Sequence, residues 1–222
     1  MSVVDLTLVI GNKNYSSWSL RAGLAVALTG VAHEEILVPL DQEKTKLTLL
    51  QHAPSGLVPV LKSEGMVIWD SLAIGEYLAE RFPDAGLWPR DRKLRALARC
   101  LVAEMHAGFA ALRRELSMDM RKSHKVMPSL EALRDIGRLQ DLWGQAIDAR
   151  QAAGLAGAFL FGAPGLVDCY FAPVVSRLVT YGVELGPDGS AYMATITDWP
   201  LYRAWLEAAK AEPWDLPNHG RP

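Results

Sequence analysis

Cysteine is scarce in this sequence. Its 222 residues hold two, Cys100 and Cys169, too far apart for a CxxC redox motif. Both lie in apolar helical patterns, which predicts buried thiols in a reducing compartment rather than a disulfide framework. The five histidines show no metal-ligand spacing, so no metal site is expected. No excess of charge is present either. A net charge of −2 gives a nucleic-acid partner no electrostatic support. The longest uncharged stretch, between Arg150 and Asp168, has 17 residues and is broken by four glycines and Pro164. It is unsuited to span a bilayer. Asp5 stands where an export signal needs positive charge, so none is expected. No Gly-Lys-Ser or Gly-Lys-Thr follows Gly11, which excludes a phosphate-binding loop there. The expectation is a soluble, cytoplasmic protein with no nucleic-acid or membrane partner.

What is present is a sizeable hydrophobic content, 50%, arranged with two different periods. Residues 3–10 form a β-branched strand candidate. The polar turn 11–16 follows, and then a helix from about 17 to 30 with leucines at 20, 24 and 28. Residues 35–40 read as a second strand ended by proline, and 41–51 as a weak helix or loop. After Pro54-Ser55-Gly56-Leu57-Val58-Pro59 a strand resumes. Glu64-Gly65 signals a hairpin, and Asp70-Ser71 caps a further helix. The order βαβ then ββα predicts a small α/β domain over 1–82. The Pro- and Gly-punctuated segment 83–90 reads as a linker. From 91 to 222 the pattern is helical throughout: 94–116 as one long stripe, then 131–150, 165–181 and 199–211.

Three serines crowd the start of the first helix, where unpaired N–H groups and the positive dipole end favour an anion. By pattern alone Ser16 reads as a helix cap. Asp70-Ser71 reads equally as a plain cap, and Pro59 as an ordinary trans proline.

Four local matches then carry a resemblance over nearly the whole chain: Tyr15-Ser16-Ser17-Trp18-Ser19-Leu20-Arg21, Pro54 through Leu61, Trp69-Asp70-Ser71-Leu72-Ala73-Ile74, and Gly165-Leu166-Val167-Asp168 entering a helix. In this order and spacing the sequence resembles the cytosolic glutathione transferases, of the serine-type theta and zeta kind. The resemblance implies a thioredoxin-like domain followed by an all-helical domain, glutathione as co-substrate, a small hydrophobic electrophile, and a homodimer. It assigns Ser16 to the glutathione thiolate, with Ser17 as runner-up. It assigns a cis Val58-Pro59 bond to the cysteinyl backbone, and Asp70 and Ser71 to the γ-glutamyl end. The motif departs from the family at three points: Trp18 replaces the zeta cysteine, Leu57 replaces a polar residue, and Gly165 replaces a serine or threonine cap.

The chemistry fits these residue types. A free thiol near pKa 8.5 is only about 3% thiolate at pH 7, and the thiolate is the nucleophile. A donor hydroxyl at a helix N-terminus favours the charged form. The expected activity is conjugation of glutathione to small electrophiles in detoxification. The alternatives are a zeta-like glutathione-dependent isomerase and a glutathione-binding interaction module without catalysis. Met105, His106, Phe109 and Tyr170 read either as core or as lining of the electrophile pocket. Tyr15 is a weaker candidate for the thiol. The run Arg121-Lys122-Ser123-His124-Lys125 reads as a solvated helix end or loop.

Overall fold

Strand alternation decides which side of the sheet each residue serves. The computed structural model describes residues 5–216. In it β1 (Leu6–Ile10) pairs in parallel with β2 (Glu34–Leu37) and antiparallel with β3 (Val60–Ser63). β3 pairs antiparallel with β4 (Met66–Ile68), and the sheet order is β2-β1-β3-β4. Leu6, Leu8 and Ile10 join a large core on one face. Val9 joins Val38, Leu49, Ala53 and Val60 on the other, as a period of two requires. α1 (Ser17–Leu28) and α3 (Ser71–Arg81) supply Leu20, Leu24, Ile74 and Leu78 to the first face; α2 (Thr45–Leu50) supplies Leu49 to the second. This is the expected thioredoxin-like arrangement. The strand expected over 3–10 is seen from Leu6; residues 3 and 4 lie outside the described residues. β2 ends at Leu37 rather than 40, because Leu40 turns its N–H to the Asn12 side chain at 2.8 Å.

A short 3-10 turn, Pro83–Ala85, leads into helices α4 (Arg92–Ala107), α5 (Ala110–Glu115), α6 (Leu130–Ala152), α7 (Leu166–Thr180), α8 (Pro187–Asp198) and α9 (Pro200–Lys210). α7 lies at the centre, with nearly every residue buried. Its cap, Gly165, has no side chain, and Asp168 accepts the Gly165 N–H at 2.9 Å instead.

Three expectations need correction. The stripe from 94 to 116 predicts one helix, but the chain breaks at Gly108. Phe109 there is left-handed, with φ 62°. Arg113 turns back over the break and donates to the Gly108 carbonyl at 2.9 Å and to the Met105 carbonyl. It thereby satisfies carbonyls that end a helix without partners. Met105, Phe109, Leu112 and Leu116 stay buried across the break, so the apolar spacing does not reveal it. Secondly, the apolar pattern gives no sign of α8. That helix buries only Gly189, Tyr192 and Ile196, too few for a recognisable stripe. Thirdly, Cys100 is exposed. The buried face of α4 is Leu94, Ala98, Leu101, Val102 and Met105, and position 100 points away from it. Cys169 is buried as expected. Among the described residues no helix is long and apolar enough to cross a membrane.

Candidate active site

The turn between β1 and α1 closes on itself before the helix begins. The Asn12 carbonyl accepts from the Tyr15 and Ser16 N–H groups at 3.3 and 2.9 Å. Ser16 is the N-cap of α1, extended, with its hydroxyl accepting from the Ser19 N–H at 3.2 Å. It also donates to the Ser19 hydroxyl at 2.8 Å, which in turn accepts from the Gly11 N–H at 3.0 Å. The cap that the pattern favoured is therefore present. It does not preclude a thiol role, because a hydroxyl rotates its proton to suit its partners. The Ser17 hydroxyl accepts from Arg177 Nη2 at 3.2 Å. Ser16 and Ser17 are 5% and 6% exposed and line a cavity of about 350 Å³ with Trp18, Val58, Arg113 and Arg177.

The Val58-Pro59 bond is cis. Val58 also lines an adjoining cavity of about 280 Å³, with Trp18, Leu57, Trp69 and Asp70. Serines, Val58 and Asp70 thus lie along one cleft, as expected from their motifs. Asp70 caps α3 by accepting from the Leu72 N–H at 3.0 Å. Its other oxygen lies 3.1 Å from His106 Nε2. Ser71 is 2% exposed, lies beside the Tyr170 hydroxyl and lines neither cavity.

The residues offered for an electrophile pocket divide. Met105 and Phe109 sit in the main core and line neither cavity. Tyr170 is likewise buried. His106 faces Asp70 and packs edge-on against Trp18, ring centres 5.2 Å apart, so it sits with Asp70 rather than with Met105 and Phe109. The Tyr15 hydroxyl is taken up by Arg121 and Asp215, at 2.7 and 3.2 Å. The run 121–125 is a loop, as expected, exposed from Lys122 to Lys125 and partly buried at Arg121. Arg121 holds that hydroxyl, Lys122 pairs with Asp119 at 3.1 Å, and His124 packs edge-on to Tyr181.

A profile of the glutathione S-transferase N-terminal domain matches residues 15–81. Maleylacetoacetate isomerase of Pseudomonas aeruginosa is 30% identical over 211 residues, 89% of each chain. Maleylpyruvate isomerase of Ralstonia sp is 31% identical over 212 residues, 90% of this chain and 92% of that one. The chain belongs to the glutathione S-transferase family. A theta-class glutathione S-transferase of Xanthomonas axonopodis pv. citri, solved with glutathione bound, superimposes with a TM-score of 0.63 at 26% identity. It covers 92% of this chain and 98% of that one.

This family member carries three arginines that the motifs do not single out: Arg113 and Arg177 line the cavity with the serines, and Arg21 packs against Trp18 beside it. Arg177 is buried and pushed down to about 10, first by burial and then by the Arg113 charge. It donates to the carbonyls of Leu116 and Arg113 at 2.5 and 3.3 Å. Arg113 is lowered by burial, offset in part by Asp135. Arg21, 1% exposed, is pushed down to about 9 by burial and by Arg113. Its guanidinium lies over Trp18 at 4.4 Å and over Tyr170 at 5.0 Å. Three cations so close together, two of them buried, make a positive environment that suits an anion. A signal was available: Arg177 interrupts the apolar series Val174, Val175, Leu178, and Arg21 sits beside Leu20 on a buried helix. A cation in such a stripe needs a reason. Among the described residues no group of three or more His, Cys, Asp or Glu could hold a metal.

Proposed function

We propose that the protein catalyses a glutathione-dependent cis–trans isomerisation of a small unsaturated carboxylic acid. The observation that carries this is the single cavity that holds Ser16 and Ser17 on one wall and Arg113 and Arg177 on another. Two relatives that match about nine-tenths of the chain are named for isomerisation of maleyl acids, which supports the same reading.

Glutathione supplies the nucleophilic thiolate. Ser16 donates its hydroxyl proton to that sulfur, and the Ser19 hydroxyl, 2.8 Å away, becomes the donor to Ser16. Val58 pairs with the cysteinyl backbone; Asp70 and Ser71 hold the γ-glutamyl end. Arg113 and Arg177 take the acceptor's carboxylate and stabilise the negative charge that develops beside its double bond. Addition, rotation about the bond now single, and elimination convert cis to trans and return the tripeptide unchanged. Release before elimination would instead be conjugation. The apolar wall of Leu40, Leu49, Leu57 and Met118 suits a small hydrophobic electrophile for that outcome.

On this reading residues 1–82 bind glutathione and 91–222 supply the acceptor side and dimer contacts, with 83–90 between them. A homodimer is part of the proposal; Met66 and Val67 on β4, exposed apolar side chains that line neither cavity, offer it an apolar edge. Two free thiols, one of them exposed, fit a reducing, cytoplasmic setting.

The test follows maleylpyruvate by NMR with glutathione at a tenth of its concentration. Conversion to the trans acid beyond the glutathione present, with free thiol conserved, is the expected result. Stoichiometric loss of thiol would replace isomerisation by conjugation. No glutathione-dependent change with this acid or with an aromatic electrophile would favour the non-catalytic module.

A further inference from the structure

The loop between β1 and α1 has no ladder of its own, so its buried N–H groups must find partners elsewhere. They find them at the far end of the chain. The Glu212 carboxylate, on a residue 8% exposed, accepts from the Lys13 and Asn14 N–H groups at 2.6 and 3.1 Å. The Trp205 indole donates to the Lys13 carbonyl at 3.0 Å. Arg121, from the loop after α5, donates to the Tyr15 hydroxyl at 2.7 Å and to the Glu212 carbonyl at 2.9 Å. It also reaches the Trp214 carbonyl at 2.7 Å and the Asp215 carboxylate at 2.6 Å. Its own N–H goes to the Asn14 side chain at 3.1 Å. Lys13, Asn14 and Tyr15 are the three residues immediately before the Ser16 cap, and every one of them is gripped.

We infer that Glu212 and Arg121 are positioning residues of the active site. Through Lys13, Asn14 and Tyr15 they set where the first turn of α1 presents Ser16. The described part of the C-terminal segment, to residue 216, then supports the site although none of its residues lines either cavity. A carboxylate accepting two successive N–H groups makes charge-assisted bonds, about twice as strong as neutral ones. Loss of that grip lets the helix start shift, and a donor aimed at a developing charge works only within a narrow range of distance. The functional consequence rests on the thiolate role proposed for Ser16; the mechanical one does not.

The test uses the full chain with Glu212→Ala and Arg121→Ala, and the conservative Glu212→Gln and Arg121→Lys. Two quantities are read: hydrogen exchange at the Ser19 and Leu20 amides, which bond to Ser16 at 3.2 and 3.0 Å, and the pH midpoint of the ultraviolet thiolate absorbance of bound glutathione. The alanine variants should exchange at least about tenfold faster and move the midpoint toward that of a free thiol, about 8.5. The conservative variants should fall between. Unchanged exchange in both alanine variants would overturn the inference. So would faster exchange with an unmoved midpoint, since the tail would then only stabilise the fold. A wild-type midpoint equal to that of free glutathione would sink the role of Ser16, while the exchange rates would still decide whether the tail controls the helix start. If the alanine variants do not fold, Tyr15→Phe removes only the hydroxyl that Arg121 grips and carries the same two measurements.

Discussion

Arg177 donates to the Ser17 hydroxyl at 3.2 Å, joining α7 to the first turn of α1 across 160 residues of sequence. The bond places the cation proposed to hold the acceptor beside the proposed thiolate site. Ser17→Ala should leave Arg177 held only by carbonyls. The expected outcome is a rise of about tenfold in KM for the acidic acceptor, with kcat little changed, in steady-state kinetics. Arg177→Met should lower kcat/KM for the acid by about a hundredfold and spare a neutral electrophile.

Ser16→Ala tests the other serine. Removal of the cap hydroxyl should cost about 1 kcal/mol of stability, read from denaturant unfolding. It should also lower kcat/KM by about a hundredfold, with the bound thiol's midpoint displaced upward. A stability loss with unchanged turnover would leave Ser16 as a cap alone.

His106 sits 3.1 Å from Asp70, whose side chain is more than half exposed. The pair is screened and should be weak. His106→Phe is expected to weaken glutathione binding only about threefold by calorimetry, through loss of orientation at Asp70. A loss of hundredfold or more would place His106 in direct contact with the tripeptide.

The Asp168 carboxyl is pushed up to about 6 by burial, against hydrogen bonds from Gly165, Tyr192 and Leu160 that favour its charge. A folded pKa above the unfolded value of 3.8 means that the folded protein binds the extra proton. Its contribution to stability is full below about pH 4 and lost as pH rises through about 6. Asp168→Asn does not titrate there. The Tm difference, wild type minus variant, should therefore be largest near pH 4 and shrink by pH 7. A difference that grows with pH would reverse the assignment.

Gly23 faces α9. A Cβ there would lie 2.1 Å from Trp205 Cζ3. Gly23→Ala should cost about 1–3 kcal/mol by overpacking, despite alanine's better helix propensity. A rise in Tm would show that Trp205 yields without cost.

Local chemistry was legible wherever it sits within a few residues of chain. The serine-rich helix start, the Asp70-Ser71 cap, the Val58-Pro59 turn and the carboxylate after Gly165 all lie where their motifs put them, because caps and turns are short-range structures. The strands lie where their β-branched runs put them, save where Leu40 leaves β2 for the Asn12 side chain. The break at Gly108 was hidden because burial continues through it, and its partner Arg113 lies outside the apolar stripe.

By itself the sequence determined the fold class and the serine-bearing end of the cleft, since periodicity and capping are read from neighbours. Only the tertiary structure decided what faces those serines. Arg113 and Arg177 reach the cavity from α5 and α7, and His106 turns from the proposed pocket to Asp70. Glu212 returns to the loop before α1 from 199 residues away. Contacts of that span depend on how helices pack against the sheet, and no spacing along the chain encodes a distance through space.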